Sequence, residues 1–257
     1  MGQVSSIFQY GTVDSTNTVA LSLARGGAPS GTLVTATAQT AGRGREGRVF
    51  HSAPGGIYTT LIVRPTGAPE EWMLLTSCAG LAVCDAIESC CGAKTLIKWP
   101  NDVILDGRKL CGILTELELE AESAALRHVV VGVGFFDQEP IILSGTGVNV
   151  EQEFFPEHLK DVATSLRLEG YDVTINEFLS HFTVALGKWM LSPLDRHETV
   201  EQLRRRSCVL GKEVTLIFPT GQEEARAVDI DEQTGGLVVE QAGTRRVLTS
   251  GEVSLRF

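Results

Sequence analysis

Residues 42–48 form a glycine–arginine stretch, Gly42-Arg43-Gly44-Arg45-Glu46-Gly47-Arg48, whose residue types suit anion binding. Glycine lets the backbone approach a ligand closely, and the planar guanidinium of arginine binds carboxylate and phosphate oxygens. The stretch is not a Walker loop, because the chain contains no G-x-x-x-x-G-K-S/T sequence. A solvated mobile loop, or an arginine–glycine segment that touches RNA, is the alternative interpretation of this stretch alone.

A second segment with chemical potential is Lys98-Trp99-Pro100-Asn101-Asp102, which is followed by Lys109 and Gly112. Proline, asparagine and aspartate are unfavourable in a sheet, so this sequence is costly as structure alone. Lys109 begins the return strand of a predicted hairpin, which lets its ammonium face the same pocket as the Asp102 carboxylate. Beside an arginine loop, these groups suit a reaction in which an anion attacks a nucleotide phosphate. A surface turn with an aromatic anchor is the alternative.

Two shorter stretches carry a weaker signal. Asp14-Ser15-Thr16-Asn17 is typical of a helix cap, although the same hydroxyls and amide also suit a polar, neutral ligand. Gly145-Thr146-Gly147-Val148-Asn149 places a glycine pair before an amide, and a plain turn explains it equally well. The five histidines match neither the H-E-x-x-H metalloprotease motif nor a serine nucleophile elbow, so these two classes receive no support.

Composition sets the broad class of the protein. The 257 residues, 43% hydrophobic and 21% charged, are typical of a folded globular chain with one large domain or a medium and a small one. The net charge of −10 disfavours extensive nucleic-acid binding. No apolar run approaches the ~20 residues that cross a bilayer, and the first residues lack a secretory pattern. Six cysteines without C-x-x-C spacing predict buried thiols, no metal site and a cytoplasmic location.

Hydrophobic periodicity predicts the elements that position these segments. A helix capped by Asp14 or Ser15 has Val19 and Leu23 on one face, and another runs from about Glu71 to Gly92 with a buried stripe of Leu74, Cys78, Leu81 and Ala82. Asp106-Gly107 predicts a tight hairpin. The predicted strands cover residues 8–13, 32–38, 57–63, 95–99, 103–105, 109–117, 129–136 and 141–143. Further helices are predicted over 156–168 and 174–206, the latter broken at Pro193.

After Ser207 the helical period disappears, and short apolar runs alternate with turn residues. This pattern predicts a small antiparallel barrel of about 50 residues. The predicted organisation is therefore a mixed α+β domain over 1–206, with a mainly antiparallel sheet packed with helices, followed by an all-β domain over 207–257.

Taken together and in this order, the motifs resemble those of the biotin–protein ligase family over nearly the whole chain. The matching segments are residues 14–17, 39–45, 52–58, 98–102, 108–110 with Gly112, and 147–149. The tail, from Leu210-Gly211-Lys212 to Gly251–Leu255, is similar to the family's C-terminal domain. The resemblance implies a class II aminoacyl-tRNA synthetase-like (biotin–lipoate ligase) catalytic domain followed by an SH3-like barrel.

The activity that the resemblance implies has two half-reactions. Biotin and ATP, with Mg²⁺, give biotinyl-AMP and pyrophosphate, and a lysine of a biotin carrier domain, as in acetyl-CoA carboxylase, then takes the biotinyl group. No helix-turn-helix precedes Asp14, so the DNA-binding form of the family is not expected. The resemblance also allows a homodimer through an exposed sheet edge, and it implies no membrane partner.

The resemblance also implies roles for individual residues. Lys109 and Arg45 offset the repulsion between carboxylate and phosphate, and Asp102 orients the incoming amine or accepts its proton; residues 42–48 form a lid that excludes water. The implied biotin-binding residues are Ser15, Thr16, Asn17, Gln39, Gly42, Arg43, Gly44, Arg45, Gly56, Lys109 and Gly112. The implied nucleotide-binding residues are Arg45, Arg48, Phe50, Trp99, Asn101 and Asn149.

The chain departs from the family pattern at several positions. Phe50 replaces the usual Trp, Ala53 the usual Pro, and Glu46 a residue that is basic in some relatives. The 117–149 segment is longer than usual and contains an additional Gly132-Val133-Gly134. Two other functions remain open: a lipoate- or octanoate-type protein acyl ligase, which would need a long apolar slot, and a non-catalytic biotin- or nucleotide-binding regulator.

Overall fold

The computed structural model describes residues 2–65, 69–118, 141–218, 221–249 and 252–255. Its first sheet is built from seven strands: β1 (Ser6–Val13), β2 (Thr32–Gln39), β3 (Gly56–Val63), β4 (Leu96–Lys98), β5 (Asp102–Leu105), β6 (Arg108–Glu118) and β7 (Ile141–Asn149). The helices are α1 (Thr16–Arg25), α2 (Pro69–Trp72), α3 (Leu75–Cys91), α4 (Ile175–Met190) and α5 (Arg196–Arg206). No helix of the described segments is long and apolar enough to cross a bilayer.

The strand order is β1-β2-β3-β7-β6-β5-β4, and every neighbouring pair is antiparallel except β1 and β2. This arrangement confirms the predicted mixed, mainly antiparallel sheet. Because side chains alternate between the two faces of a sheet, each strand contributes to two environments. Helices α3 and α4 cover one face, and α1 covers part of the other.

The face under α3 and α4 holds the main core. The predicted stripe of Leu74, Cys78, Leu81 and Ala82 is fully buried, which confirms that expectation. The single predicted helix is instead two helices, because Met73 and Leu74 form a turn between α2 and α3. In α4 the rings of Phe178 and Phe182 stack with centroids 5.3 Å apart.

The buried face of α1 is centred on two alanines, and the predicted side-chain caps of this helix were wrong. Ala20 and Ala24 are buried against Val34 and Ile62, whereas the larger Val19 and Leu23 are only partly buried at the edge of this cluster. Small side chains at the contact let the helix lie close to the sheet. The Ser15 side chain makes no capping hydrogen bond; the Thr16 amide instead donates to Oε1 of Gln39, the last residue of β2, at 2.8 Å.

The hairpin between β5 and β6 is confirmed, with positive φ values of 47° at Asp106 and 79° at Gly107. The predicted helix over 156–168 was wrong, because this segment consists of turns. Its backbone bonds to the start of β6: the Lys109 amide donates to Val162 O at 2.8 Å, and the Thr164 amide donates to Lys109 O at 2.9 Å. The strand predicted over 129–136 lies outside the described residues.

The predicted helical region after Thr174 is confirmed. The Thr174 side chain accepts from the Glu177 amide and the Glu177 carboxylate accepts from the Thr174 amide, so a capping box begins α4. A break around Pro193 separates α4 from α5. This pair of helices therefore follows its local sequence signals.

The C-terminal part is a five-stranded antiparallel sheet in the order β11-β10-β9-β8-β12. Its strands are β8 (Glu213–Phe218), β9 (Gly221–Ile230), β10 (Leu237–Gln241), β11 (Thr244–Leu248) and β12 (Glu252–Leu255). The predicted all-β character is confirmed, but the edge strands β11 and β12 are not paired with each other in the described residues. Arg204 joins this sheet to α5, donating to Asp229 Oδ1 at 2.7 Å.

Candidate active site

A cavity opens on the α1 side of the first sheet, where α1 begins. The N-terminus of α1, the β5–β6 hairpin and the loop after β2 surround it. We call residues 42–50 the flap. The lining residues are Ser15, Thr16, Asn17, Gln39, Arg43, Gly44, Arg45, Arg48, Val49, Phe50, Tyr58, Lys98, Trp99, Pro100, Asn101, Asp102, Lys109, Gly112, Ile113, Leu114, Gly145, Thr146, Gly147 and Val253.

One end of the cavity is a polar wall made of Thr16, Asn17, Gln39 and Thr60. Thr16, Asn17 and Thr60 are buried. The Thr60 hydroxyl lies 2.8 Å from the Thr16 hydroxyl and 2.6 Å from Asn17 Oδ1, and Gln39 Nε2 donates to Ser52 Oγ at 2.9 Å. Because these neutral groups satisfy one another, the wall is held in place without a ligand.

Glycine and glutamate on the neighbouring strands complete the wall. A Cβ at Gly145 would lie 2.3 Å from Asn17 Oδ1, so the Asn17 amide fits only because β7 has glycine at this position. On the other side, Asn17 Nδ2 donates to Glu116 Oε2 at 2.6 Å. The plain turn considered for residues 145–149 is therefore wrong: Gly145 lies in β7, where its missing side chain leaves room for Asn17.

The flap is a short hairpin with backbone bonds at both ends. The Phe50 amide donates to Gly42 O at 2.9 Å, and the Gly44 amide donates to Arg48 O at 2.7 Å. A 3₁₀ turn spans Arg45–Gly47. A Cβ at Gly42 would lie 2.3 Å from Ser52 Oγ, which explains the glycine where the flap leaves the sheet.

The opposite end of the cavity carries the charges. Lys109 Nζ lies 2.7 Å from Asp102 Oδ1, with 37% and 19% of the two side chains exposed. Arg45 Nη1 donates to Asn101 Oδ1 at 3.3 Å, and Asn101 Nδ2 in turn donates to Ile113 O at 3.0 Å. The paired strands β5 and β6 thus bring the lysine and the carboxylate together, and the flap brings the arginine to the same cavity. We call Arg45, Lys109 and Asp102 the charged end.

Phe50 joins the flap to the sheet between the two ends. A Cβ at Gly112 or Gly147 would lie 2.7 Å or 2.5 Å from its ring, so the ring rests directly on two glycines of adjacent strands. The Lys109 ammonium lies 5.8 Å from the ring centroid, and Tyr58 meets the ring edge-on at 6.4 Å. Burial raises the pKa of Tyr58, whose hydroxyl donates to Ala53 O at 2.7 Å.

The cavity lining contains most of the predicted site residues, but Gly42, Gly56 and Asn149 lie outside it. The Asn149 amide is buried, donates to Thr164 O at 2.9 Å and accepts from Gln152 Nε2 at 3.2 Å. A Cβ at Gly56 would lie 2.4 Å from the Tyr58 hydroxyl oxygen. Tight packing and backbone support account for these three residues in the structure.

Sequence reasoning missed several residues of the site. Tyr58, Leu114 and Val253 line the cavity, while Thr60 and Glu116 support it from behind. The available signal was strand alternation, since Leu114 and Glu116 follow Gly112 at spacings of two and so share its face of β6. No local sequence pattern indicates which residues of other strands lie next to a given residue in the sheet.

The C-terminal sheet also reaches the site. The Trp99 indole, which lines the cavity, donates to Gly235 O at 3.2 Å. A second cavity adjoins the first and shares Arg45, Trp99 and Asn101 with it; from the C-terminal part it is lined by Thr234, Gly235, Gly236 and Thr249. Within the described ranges, no group of three or more His, Cys, Asp or Glu side chains is arranged to hold a metal ion.

Comparisons with known proteins agree with the geometry. Residues 10–135 match the biotin/lipoate A/B protein ligase family, and residues 209–256 match the biotin protein ligase C terminal domain. The chain is 35% identical to the bifunctional ligase/repressor BirA of Bacillus spizizenii over 97% of this chain and 74% of that protein. It is 34% identical to a biotin–[acetyl-CoA-carboxylase] ligase of Paracoccus denitrificans, covering 93% of this chain and 96% of that one.

Among solved structures, the fold is similar to a biotin protein ligase from Aquifex aeolicus in complex with biotin and ATP. The TM-score is 0.77 with 27% identity, over 98% of this chain and 99% of that chain.

Proposed function

The chain belongs to the biotin protein ligase family. From this membership we propose that biotin reacts with ATP in this cavity to form biotinyl-AMP, and that the biotinyl group is then transferred to a protein lysine. The enzyme is an ATP-dependent biotin–protein ligase that forms biotinyl-AMP and pyrophosphate. The acceptor is a lysine of a biotin carrier domain, such as that of acetyl-CoA carboxylase.

The observation that carries the proposal is the division of one cavity into a neutral end and a charged end. The ureido ring of biotin is neutral and offers both N–H donors and a carbonyl acceptor, which suits the polar wall. The carboxylate at the other end of biotin and the phosphates of ATP are anionic, which suits Lys109 and Arg45. A lipoate or octanoate chain has no head group that would use the hydrogen bonds of the wall.

In the first half-reaction a biotin carboxylate oxygen attacks the α-phosphorus of ATP, and pyrophosphate leaves with the electrons of the broken P–O bond. Two anions must approach each other, so cations fixed beforehand lower the barrier. Lys109 is fixed by its ion pair with Asp102, and Arg45 by its bond to Asn101. The flap with Arg45 closes over the mixed anhydride and excludes water, which would otherwise hydrolyse it.

In the second half-reaction the amine of the carrier lysine attacks the biotinyl carbonyl, and AMP leaves. A free lysine with a pKa near 10.4 is mostly protonated at neutral pH, so the amine must lose a proton. Asp102 is the carboxylate of the charged end, and we assign it to orient this amine or to accept its proton. Its ion pair with Lys109 gives it a second role in holding that ammonium.

The nucleotide lies toward Trp99 and Asn101 in this proposal, with Arg48 and Phe50 of the flap on its other side. Asn149 contributes by holding the Val162–Thr164 segment through Thr164 O rather than by direct contact. ATP enters as its magnesium complex, because Mg²⁺ is usually held by substrate phosphates with few protein ligands.

For the finer fold, we propose that residues 1–206 form a class II aminoacyl-tRNA synthetase-like catalytic domain and that 207–257 form an SH3-like barrel. The second cavity, which is lined by Gly235 and Thr249 as well as by Arg45, supports a role of the C-terminal part in closing the nucleotide site. Deleting residues 208–257 and assaying each half-reaction tests this role. Loss of adenylation supports nucleotide closure, and loss of transfer alone supports carrier docking.

The proposed partners are the carrier domain and a second copy of the chain. Strand β1 is an edge of the first sheet and exposes Ile7, Phe8 and Tyr10, which supports a homodimer through this edge. The net charge of −10 gives no support to DNA binding, and no membrane partner is proposed. The six cysteines are free thiols, which supports a reducing, cytoplasmic location.

The test combines the protein with biotin, ATP, Mg²⁺ and an acceptor carrier domain, followed by intact-mass measurement of the acceptor. The proposal predicts a gain of one biotinyl group, with AMP and pyrophosphate released in equal amounts. Octanoate replaces biotin in a parallel reaction. Transfer of octanoate in preference to biotin would favour the acyl-ligase alternative, and biotin binding without any mass gain would favour a regulator.

A further inference from the structure

Glu116 lies on β6, behind the polar wall and outside the cavity lining, with 35% of its side chain exposed. Its carboxylate is shared between two elements of the site. Oε2 accepts from Asn17 Nδ2 of α1 at 2.6 Å and from Arg43 Nη2 of the flap at 3.1 Å, and Oε1 lies 3.5 Å from the same guanidinium nitrogen.

An ionised carboxylate can only accept hydrogen bonds, so Glu116 fixes the orientation of the Asn17 amide. The NH₂ group must face Glu116, and Oδ1 must face Thr60. The Thr60 hydroxyl therefore donates to Asn17 Oδ1 at 2.6 Å, because an amide oxygen cannot donate. Oδ1 has room there because of the missing side chain at Gly145.

The order of donors and acceptors that Glu116 fixes extends from Asn17 and Thr60 to the cavity surface. Since the single proton of Thr60 is used by Asn17, the Thr16 hydroxyl keeps its own proton to donate, either to the Thr60 oxygen at 2.8 Å or to Gln39 Oε1 at 3.2 Å. Gln39 Oε1 also accepts from the Thr16 amide, which its two lone pairs allow. The Thr16 oxygen is thereby left as an acceptor for a ligand, and the second N–H of Asn17 as a donor.

We propose that Glu116 is a positioning residue that fixes the donor–acceptor order of the polar wall and attaches the flap to it through Arg43. This inference rests on the proposed function. The wall then recognises a neutral cyclic urea by the direction of its hydrogen bonds as well as by its shape. Without Glu116 the Asn17 amide is free to rotate, which reverses the donor and acceptor at that position.

The first experiment measures adenylation by pyrophosphate exchange for wild type, Glu116→Ala and Glu116→Gln. Glu116→Ala is expected to raise KM for biotin roughly 10-fold, with KM for ATP and kcat within about 3-fold of wild type. Glu116→Gln regains most of the biotin affinity, because its amide oxygen still accepts from Asn17. Glu157→Ala, which removes an exposed carboxylate paired with Lys160, is the control and leaves both constants unchanged.

The second experiment compares biotin with 2-iminobiotin, in which an imino N–H replaces the carbonyl oxygen of the urea, so that a donor stands where biotin has an acceptor. Wild type is expected to discriminate strongly between them, and Glu116→Ala to reduce the ratio of the two kcat/KM values by roughly 5-fold or more. A merely structural role of Glu116 would lower both kcat/KM values equally. Tryptic cleavage within the flap of the biotin complex is expected to be faster in Glu116→Ala than in wild type.

An unchanged discrimination ratio in both Glu116 variants, or a wild-type KM for biotin in Glu116→Ala, would overturn the proposal. If Glu116→Ala does not fold, Glu116→Gln decides. A glutamine amide can also turn its NH₂ group toward Asn17 and so fixes the Asn17 orientation less firmly than a carboxylate does; a discrimination ratio below wild type supports the proposal, and a wild-type ratio contradicts it. Failure of the proposed function has a different signature, because wild-type protein would then show no biotin-dependent exchange at all.

Discussion

The two ends of the cavity are built on opposite principles. The four side chains of the polar wall are neutral, and all except the partly exposed Gln39 are buried; their hydrogen bonds are made within the protein, and Thr60, for example, is fully buried between Thr16 and Asn17. The charged end is partly exposed, and its Lys109–Asp102 pair retains contact with solvent. Buried neutral groups give directional recognition, whereas part-exposed charges adapt to an anion that changes during the reaction.

This comparison separates recognition from catalysis within one site. A change at the wall is expected to act on biotin affinity, and a change at the charged end on the rate of adenylation. The flap belongs to both ends, because Arg43 contacts Glu116 and Arg45 contacts Asn101. The predictions below test this division.

The largest effect is expected from Lys109→Ala. Loss of the ammonium leaves the developing charge at the phosphate uncompensated, so the adenylation rate is expected to fall roughly 10²-fold or more, with a smaller change in KM for biotin. Pyrophosphate exchange at saturating biotin and ATP measures it. Lys160→Ala, at an exposed ion pair outside the cavity lining, is the matched control. A wild-type exchange rate in Lys109→Ala would remove this residue from the mechanism.

An intermediate effect is expected from Thr60→Val, which keeps the shape of the side chain but removes its hydroxyl. Asn17 Oδ1 loses its donor, so KM for biotin is expected to rise roughly 10-fold while kcat changes little. Thr59→Val, at the adjacent buried position on the other face of β3, is the control. If Thr60→Val lowered kcat and left KM unchanged, the assignment of recognition to the wall would be wrong.

The flap offers a smaller, conformational test. Trypsin cleaves after Arg43, Arg45 and Arg48, and biotin plus ATP are expected to slow this cleavage by about 10-fold, since a closed flap must open before it is cut. Peptide mapping over time follows the cleavage, and the exposed Lys160 reports protease activity in both states. Equal rates with and without ligands would contradict a closing lid.

The smallest effect is expected outside the lining of both cavities, where His197 of α5 meets Glu232 at 3.0 Å. The carboxylate raises the pKa of His197, and His197 lowers the pKa of Glu232. The ion pair therefore stabilises the folded state fully between pH 4.5 and pH 6.5, about the ordinary pKa values of glutamate and histidine. This stabilisation is lost as pH rises through the pKa of His197 or falls through the pKa of Glu232. His197→Gln is expected to lower Tm by on the order of 1 °C at pH 5.5 and to have no effect at pH 9.

Within the charged end, the Lys109–Asp102 pair was predictable because this contact is local in sequence. Asp106 and Gly107 determine a tight turn, and the turn places Lys109 near Asp102. The glycine–arginine flap was recognisable for the same reason. Such features depend on a few neighbouring residues, and a single sequence contains them.

The support of the wall was not predictable, because its contacts depend on strand order. Asn17 and Glu116 are 99 positions apart in the sequence. They meet only because the strand order β3-β7-β6 brings β6 close to the part of β3 on which Asn17 lies. The failed helix over 156–168 has the same origin, since its own backbone bonds form only isolated turns and its Val162 and Thr164 peptides pair with the Lys109 peptide. In both cases tertiary contacts override local propensity.

The most direct test is a crystal structure with a non-hydrolysable biotinyl-AMP analogue. The account predicts the ureido ring within hydrogen-bond distance of Thr16 and Asn17, and the acyl-phosphate oxygens within reach of Lys109 and Arg45 under a closed flap. The reverse orientation, or a ligand bound outside this cavity, would contradict the division of the site into a recognising and a catalysing end.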